Sequence, residues 1–193
     1  MSICNIWKNW SARLNRLPCP CNDRKHSIQR SQFKMAVISA LFSVISLPLF
    51  KDMVLRNWYN KQGNEEEMYP YFTEALRRSF GRVVLGIGPG KIPNRIEKVD
   101  CLVDLSTAIY SVELKGPSRD HSYITRGMAA DFKKISSLVS NSDIDFGISI
   151  GIFIEKLSVQ HEYRKVFVLN GESIGVRIEV KETEHKIETT HVL

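Results

Sequence analysis

Apolar and polar positions follow a helical period from residue 65 to residue 80 and an extended period after it. Between Glu65 and Phe80 an apolar residue recurs every three or four positions, acidic residues lead, and Arg77 and Arg78 close the segment, which predicts a helix. Gly81 ends that helix. Three strands are predicted next, RVVLGIG at 82–88, VDCLVDL at 99–105 and IYSVELKG at 109–116, with the PGKIPN segment as a turn.

The helical period returns in residues 120–140, where apolar residues again recur at three to four positions. The segment FGISIGIFI at 146–154 is apolar at both alternating sets of positions, as in a strand covered on both faces. Two strands, KVFVL and VRIEV, flank Asn170-Gly171 and predict a closing hairpin. Residues 183–193 are polar and are expected to form a frayed C-terminal tail.

These elements predict a mixed α/β domain over residues 63–182. Their order is helix, three strands, helix and strand, with further strand after it, which is not the regular alternation of a doubly wound fold. The Gly63-Asn64 break and a change in charge balance both favour a domain boundary near residue 63.

The N-terminal third carries the basic charge of the protein. Residues 1–62 contain ten Lys or Arg and two Asp, a net charge of +8, whereas the remainder has a net charge of −2. Residues 1–34 are expected to be a basic, irregular tail, and residues 35–62 a hydrophobic helical segment. The uncharged run Met35 to Phe50 is shorter than the roughly 20 residues that span a bilayer, so a packed helix and a membrane anchor are both open.

The four cysteines do not form a disulfide framework for a chain of 193 residues, which favours a reducing compartment. We therefore expect a cytoplasmic protein, with peripheral or anchored membrane association as an alternative through residues 35–50.

Two charged residues stand in the apolar strand at 109–116. Alternation directs Ser111, Glu113 and Lys115 to one face, so the two charges lie on the same side of the strand. A buried charge is costly unless it is paired or coordinated. The pair is either a surface ion pair on an edge strand or part of a functional site.

The preceding strand supplies carboxylates to the same region. Asp100 and Asp104 share one face, and the hairpin bend at residues 106–108 returns the chain beside them. Converging carboxylates repel each other unless a cation lies between them, and hard oxygen ligands suit Mg²⁺ or Mn²⁺. A neighbouring lysine can then assist a water molecule or neutralise charge on a phosphate.

Asp100, the short hairpin and the Glu113-Leu114-Lys115 tripeptide together resemble the bipartite site of the PD-(D/E)XK nucleases, whose fold is the restriction-endonuclease-like αβββαβ core. Val99 stands where that family's motif has proline. The resemblance covers about residues 65 to 170. It implies Mg²⁺-dependent hydrolysis of phosphodiester bonds in nucleic acid. Both DNA and RNA are open as substrates, and DNA is favoured.

The same resemblance implies a role for each candidate residue. Asp100 and Glu113 would be metal ligands and catalytic residues, and Lys115 would assist the attacking water. Asp104 is an alternative ligand, and Glu65 is a further one from the first helix. Nucleic-acid contacts are expected from the helix at 120–140, at Arg126, Lys133 and Lys134. Two other functions remain open, a non-catalytic binding or assembly module of the same fold and a membrane-attached accessory protein.

Overall fold

The computed structural model describes residues 23–60, 65–80, 86–91, 98–104, 108–184 and 187–192. The chain forms two compact units, residues 1–35 and residues 36–193. The second unit contains every described strand. Predictions that concern residues 1–22, the break at residues 63 and 64, the strand residues 82–85 and the bend at residues 105–107 lie outside the described residues.

Two helices precede the sheet. Helix α1 (Asp23–Ile45) begins within the segment predicted to be an irregular tail, and α2 (Pro48–Asn60) follows after a two-residue break. Residues 36–60 lie in the second unit together with the sheet. Phe50 is fully buried, and its ring lies 6.5 Å from that of Phe167, so α2 packs on the sheet.

Among the described residues, no one helix has both the length and the apolar character to cross a bilayer, although residues 30–45 and 48–60, bent by 76°, meet the criterion together. The membrane anchor therefore stays a prediction.

A mixed seven-stranded sheet follows, so the protein is a mixed α/β protein. A short 3-10 helix (Glu65–Met68) leads into the first helix of this part, and a second helix lies between the third and fourth strands. The elements are α3 (Tyr69–Phe80), β1 (Gly86–Lys91), β2 (Lys98–Asp104), β3 (Ile109–Ser118), α4 (His121–Ser140), β4 (Phe146–Lys156), β5 (Lys165–Leu169), β6 (Glu172–Glu184) and β7 (Ile187–Val192).

The strands lie in the order β1-β2-β3-β4-β6-β5, and β7 also pairs with β6. All neighbouring strands are antiparallel except β3 and β4, which are parallel. Helix α4 forms the crossover that this parallel pair requires. The predicted order of one helix, three strands, a helix and a strand is confirmed for α3 to β4.

Helices cover both faces of the centre of the sheet. Gly147 of β4 allows the close approach of α4, since a Cβ atom there would lie 2.1 Å from Cγ2 of Ile135. Helix α2 packs against Phe167 on the opposite face. Phe167 pairs with Ile174 of β6, and Ile178 of β6 pairs with Ile152 of β4, so Phe167 lies on the face of the even-numbered side chains of β4. The central strands are therefore buried on both sides, as the continuous apolar pattern of β4 predicts.

Strand β3 is buried along its whole length except at Lys115. It lies between β2 and β4, so the interpretation of its two charges as a surface ion pair on an edge strand is wrong. The strand becomes irregular after Lys115, where Gly116 has a φ of +97° and a Cβ atom would lie 2.3 Å from the carbonyl oxygen of Ile152. Only glycine fits this backbone without strain.

Two local predictions differ from the structure. Pro89 to Lys91 were expected in a turn but belong to β1, an edge strand whose register shifts between Gly88 and Gly90, where proline is tolerated. The C-terminal tail is also not frayed throughout, because residues 187–192 pair with β6. The hairpin at Asn170-Gly171 is confirmed, and both residues have the positive φ of a type I′ turn.

Candidate functional site

Glu113 and Lys115 lie on the face of β3 that α4 covers. Only 1% of Glu113 is exposed to solvent, and the side chain of Lys115 is 20% exposed. The methylene groups of Lys115 run beside Gly127 of α4, whose missing side chain leaves room for them. The same-face placement predicted by alternation is confirmed.

Asp100 joins the site from β2. The register Cys101↔Val112 brings it alongside Glu113, and its Oδ2 atom accepts a hydrogen bond from the Leu114 amide at 2.9 Å. Asp104 pairs with Ile109 at the other end of the strand, about 13 Å away at four residues of 3.3 Å each. The geometry therefore favours Asp100 over Asp104 as the partner of Glu113.

Glu65 is nearer to the centre of the site than its position before α3 suggested. It is buried in the 3-10 helix, and its Oε1 atom accepts a hydrogen bond from Nζ of Lys115 at 2.5 Å. The Tyr123 hydroxyl of α4 donates to its other oxygen at 3.5 Å. The structure thus brings Glu65, Lys115 and Asp100 to the same end of β3.

The three cationic candidates on α4 have different surroundings. Nζ of Lys134 lies 2.6 Å from Oε1 of Glu113 and donates to the Lys98 carbonyl at 3.0 Å. Lys133 and Arg126 are exposed on the outer surface of α4, where Arg126 donates to the Ser122 carbonyl. Lys134 therefore forms one buried cluster with Glu65, Asp100, Glu113 and Lys115, and Lys133 and Arg126 lie outside this cluster.

Two residues of the cluster were missed as site residues from sequence. Asp131 lies between the two lysines, with one oxygen 3.8 Å from Nζ of Lys115 and the other 3.8 Å from Nζ of Lys134. Tyr69, the first residue of α3, has its hydroxyl hydrogen-bonded to Asp100. The spacing of Asp131 and Lys134 on one helix face was the available signal for Asp131, and none marked Tyr69.

The cluster carries more negative than positive charge. Its four carboxylates belong to Glu65, Asp100, Glu113 and Asp131, and its two ammonium groups belong to Lys115 and Lys134. When all six groups are ionised the net charge is −2. This is the charge that one divalent cation neutralises.

Burial and this negative charge together shift the pKa values of the cluster's side chains. Burial, and then the charge of Asp100, raise the pKa of Glu113 to about 8, against the opposing effect of Lys134. Burial also raises the pKa of Asp131, although both lysines oppose the shift. For Lys115, burial lowers the pKa, but the hydrogen bond and charge of Glu65 outweigh this and raise it overall. The carboxylates are therefore short of compensating positive charge.

The donor atoms suit a hard divalent cation, but two of the carboxylates already form ion pairs with the lysines. Within the described part of the chain, no three carboxylate, imidazole or thiol groups are arranged to hold a metal ion. Oxygen ligands and a net charge of −2 are the chemistry that Mg²⁺ or Mn²⁺ prefers. Oδ2 of Asp131 is buried and lacks a hydrogen-bond partner among these residues. The donor atoms are of the kind that binds such a cation, but the described residues are not arranged as a metal site, so the cation stays a prediction.

The fold and the site define a mixed α/β protein with a buried carboxylate and lysine cluster at the end of a central strand. Comparison with models of known families, with curated proteins and with solved structures gave no match to this chain.

Proposed function

We propose that this protein is a metal-dependent nuclease of the restriction-endonuclease-like fold. The observation that carries the proposal is that Asp100, Glu113 and Lys115 lie on one face at the same end of β3, where Asp100 accepts a hydrogen bond from the amide of the residue between the other two. The order of α3 to β4 and the parallel pairing of β3 with β4 support the same fold. Strand interiors do not normally contain such a set of charges, because uncompensated burial is costly.

In this proposal the residues divide the chemistry between them. Asp100 and Glu113 would hold Mg²⁺ or Mn²⁺, which supplies charge to stabilise the phosphorane-like transition state and lowers the pKa of water. Lys115 would orient the attacking water, and Glu65 holds the Lys115 ammonium in place. Asp131 positions the two lysines, and Tyr69 positions Asp100.

The substrate proposed is nucleic acid, with DNA favoured over RNA. Arg126 and Lys133 are exposed on the outer surface of α4, where they are available to phosphates. The basic N-terminal third, with its net charge of +8, would add affinity that does not depend on sequence.

A second candidate is a non-catalytic nucleic-acid-binding or assembly module of the same fold. The observation that favours it is that both lysines are already paired, Lys115 with Glu65 and Lys134 with Glu113. Under this candidate the cluster is a structural ion-pair network and no bond is cleaved.

A cleavage assay separates the two candidates. The full chain is incubated with single- and double-stranded DNA and RNA in the presence of Mg²⁺, Mn²⁺ or EDTA, and the products are separated on denaturing gels. Nuclease activity requires cleavage with metal that EDTA abolishes. Lys115→Met and Glu113→Gln should each reduce it by at least about 100-fold, because they remove the water-positioning and metal-binding groups.

Lys156→Met and Glu162→Gln are the matched controls. Both residues are exposed and lie away from the cluster, so these variants should cleave at the wild-type rate. Binding of nucleic acid without cleavage under any metal condition would support the module instead. Metal-dependent cleavage that survives both site substitutions would rule out the proposed residues.

A further inference from the structure

Lys134 occupies the position against Glu113 that a metal ion would need. Its ammonium group has two close oxygen partners, Oε1 of Glu113 at 2.6 Å and the Lys98 carbonyl at 3.0 Å. Glu113 is almost completely buried, so water cannot replace this counter-charge. A cation that binds Oε1 of Glu113 has to compete with Lys134 for that oxygen.

The other lysine is less able to yield. Lys115 is held at 2.5 Å by Glu65, and its methylene groups are confined against Gly127. Lys134 reaches the cluster from a helix, and its side chain is 25% exposed, so a rotation of its flexible side chain carries the ammonium towards solvent. Of the two ammonium groups, that of Lys134 is therefore the one that we expect to leave when a cation binds.

We propose that Lys134 exchanges partners: it leaves Glu113 when a divalent cation binds and then contacts a phosphate of the nucleic acid. The inference rests on the proposed function, because it assumes that Asp100 and Glu113 receive the cation. It gives Lys134 a substrate-binding role that depends on the metal.

The consequence of this exchange is coupled binding. Without metal, the Lys134 ammonium is taken up by Glu113 and is not available to phosphate. With metal, the ammonium is released at the edge of the site and gains a phosphate partner. Metal and nucleic acid should therefore bind cooperatively. By thermodynamic linkage each should raise the binding affinity of the other by the same factor, typically about 5- to 150-fold.

The test measures metal affinity with and without DNA. Isothermal titration with Ca²⁺, a hard cation with less strict geometry than Mg²⁺, gives the dissociation constant of the full chain alone and of its complex with a short duplex. A gel of the recovered DNA records any cleavage. The ratio of the two dissociation constants is the coupling factor, and it is a binding quantity that does not depend on turnover.

In the wild type we expect a coupling factor of at least about 5. Lys134→Met should bind Ca²⁺ about 10-fold more tightly in the absence of DNA, because no ammonium has to be displaced. Its coupling factor should fall well below the wild-type value, because only the direct attraction between the cation and a phosphate remains. Lys133→Met removes the same charge one residue away, where the side chain is exposed. This control should weaken DNA binding and leave the coupling factor unchanged.

Unchanged Ca²⁺ affinity and coupling in a folded Lys134→Met protein, checked by its thermal unfolding, would overturn the exchange. If Ca²⁺ still binds and Glu113→Gln abolishes that binding, the proposed metal site stands and only the exchange fails. If Ca²⁺ binds neither the wild type nor Lys134→Met, the proposed function fails and the exchange fails with it.

Discussion

Gly127 offers a way to move Lys115 without changing any charged group. It lies inside α4, where glycine is about 1 kcal/mol less favourable than alanine. A Cβ atom at this position would lie 2.8 to 2.9 Å from the Cγ, Cδ and Cε atoms of Lys115. Gly127→Ala should therefore strengthen the helix and displace the lysine at the same time.

The size of the displacement follows from these distances. Ordinary carbon contacts begin near 3.4 Å, so the Lys115 chain has to retreat by about 0.5 Å from the new methyl group along its whole length. Its ammonium is held by Glu65 at 2.5 Å, and this hydrogen bond has to lengthen or break. Because a misplacement of about 1 Å can cost 100-fold in rate, we expect cleavage to fall by about 10- to 100-fold.

The measurement combines kinetics with stability. Single-turnover cleavage by Gly127→Ala is compared with the wild type, and urea unfolding of both proteins is followed by circular dichroism. The free energy of unfolding should change by no more than about 1 kcal/mol, because the helical gain offsets the local crowding.

Introducing Gly127→Ala into the Lys115→Met variant tests whether the substitution acts through Lys115. In Lys115→Met, the added methyl group has no ammonium to displace, so Gly127→Ala should cause no further loss of cleavage. Ala130→Gly, at an exposed position of the same helix, controls for helix propensity and should retain activity. Full activity in a correctly folded Gly127→Ala protein, or an undiminished loss in the Lys115→Met background, would refute the reasoning.

Three further substitutions test the electrostatics and the backbone around the site. The pKa of Glu113 is about 8 in the fold against 4.5 for a free side chain, so between these pH values the folded protein keeps a proton that the unfolded chain has lost. The free energy of unfolding measured in urea should therefore fall by a few kcal/mol as the pH rises from about 5 to 8, and it should fall less steeply in Glu113→Gln. Gly116→Ala should lose about 2 to 4 kcal/mol in the same assay, because of its positive φ and the clash with the Ile152 carbonyl; little change would contradict this. Tyr69→Phe should lose about 1 kcal/mol with its hydrogen bond to Asp100, and an unchanged unfolding midpoint would argue against that bond.

The central elements could be predicted because their patterns report burial directly. The alternation of β2, with odd positions buried and even positions partly exposed, is readable from its sequence and holds in the structure. The buried positions of α4 likewise follow the helical period. The edge strands β1 and β7 were harder, because an edge strand forms through pairing with a neighbour, and its own sequence carries little evidence of that neighbour.

The site could be predicted only as far as local geometry extends. Alternation within β3 places Glu113 and Lys115 on one face, but side chains two residues apart along a strand are separated by about 7 Å, so the two charges need not pair with each other. Their partners come from elsewhere in the chain, Lys134 for Glu113 and Glu65 for Lys115.

The pairing depends on how α4 crosses β3, and this crossing is fixed by the contacts of small residues such as Gly127 and Gly147 with their neighbours. A period of 3.6 residues identifies which face of α4 is buried, but it does not determine which residue of that face lies over which residue of the strand. Asp131 and Lys134 lie close to the boundary of the buried face, where a solvated charge and a cluster residue have the same sequence pattern. Only the packing of the helix on the sheet distinguishes these two roles, and it makes Lys134 the counter-charge of Glu113.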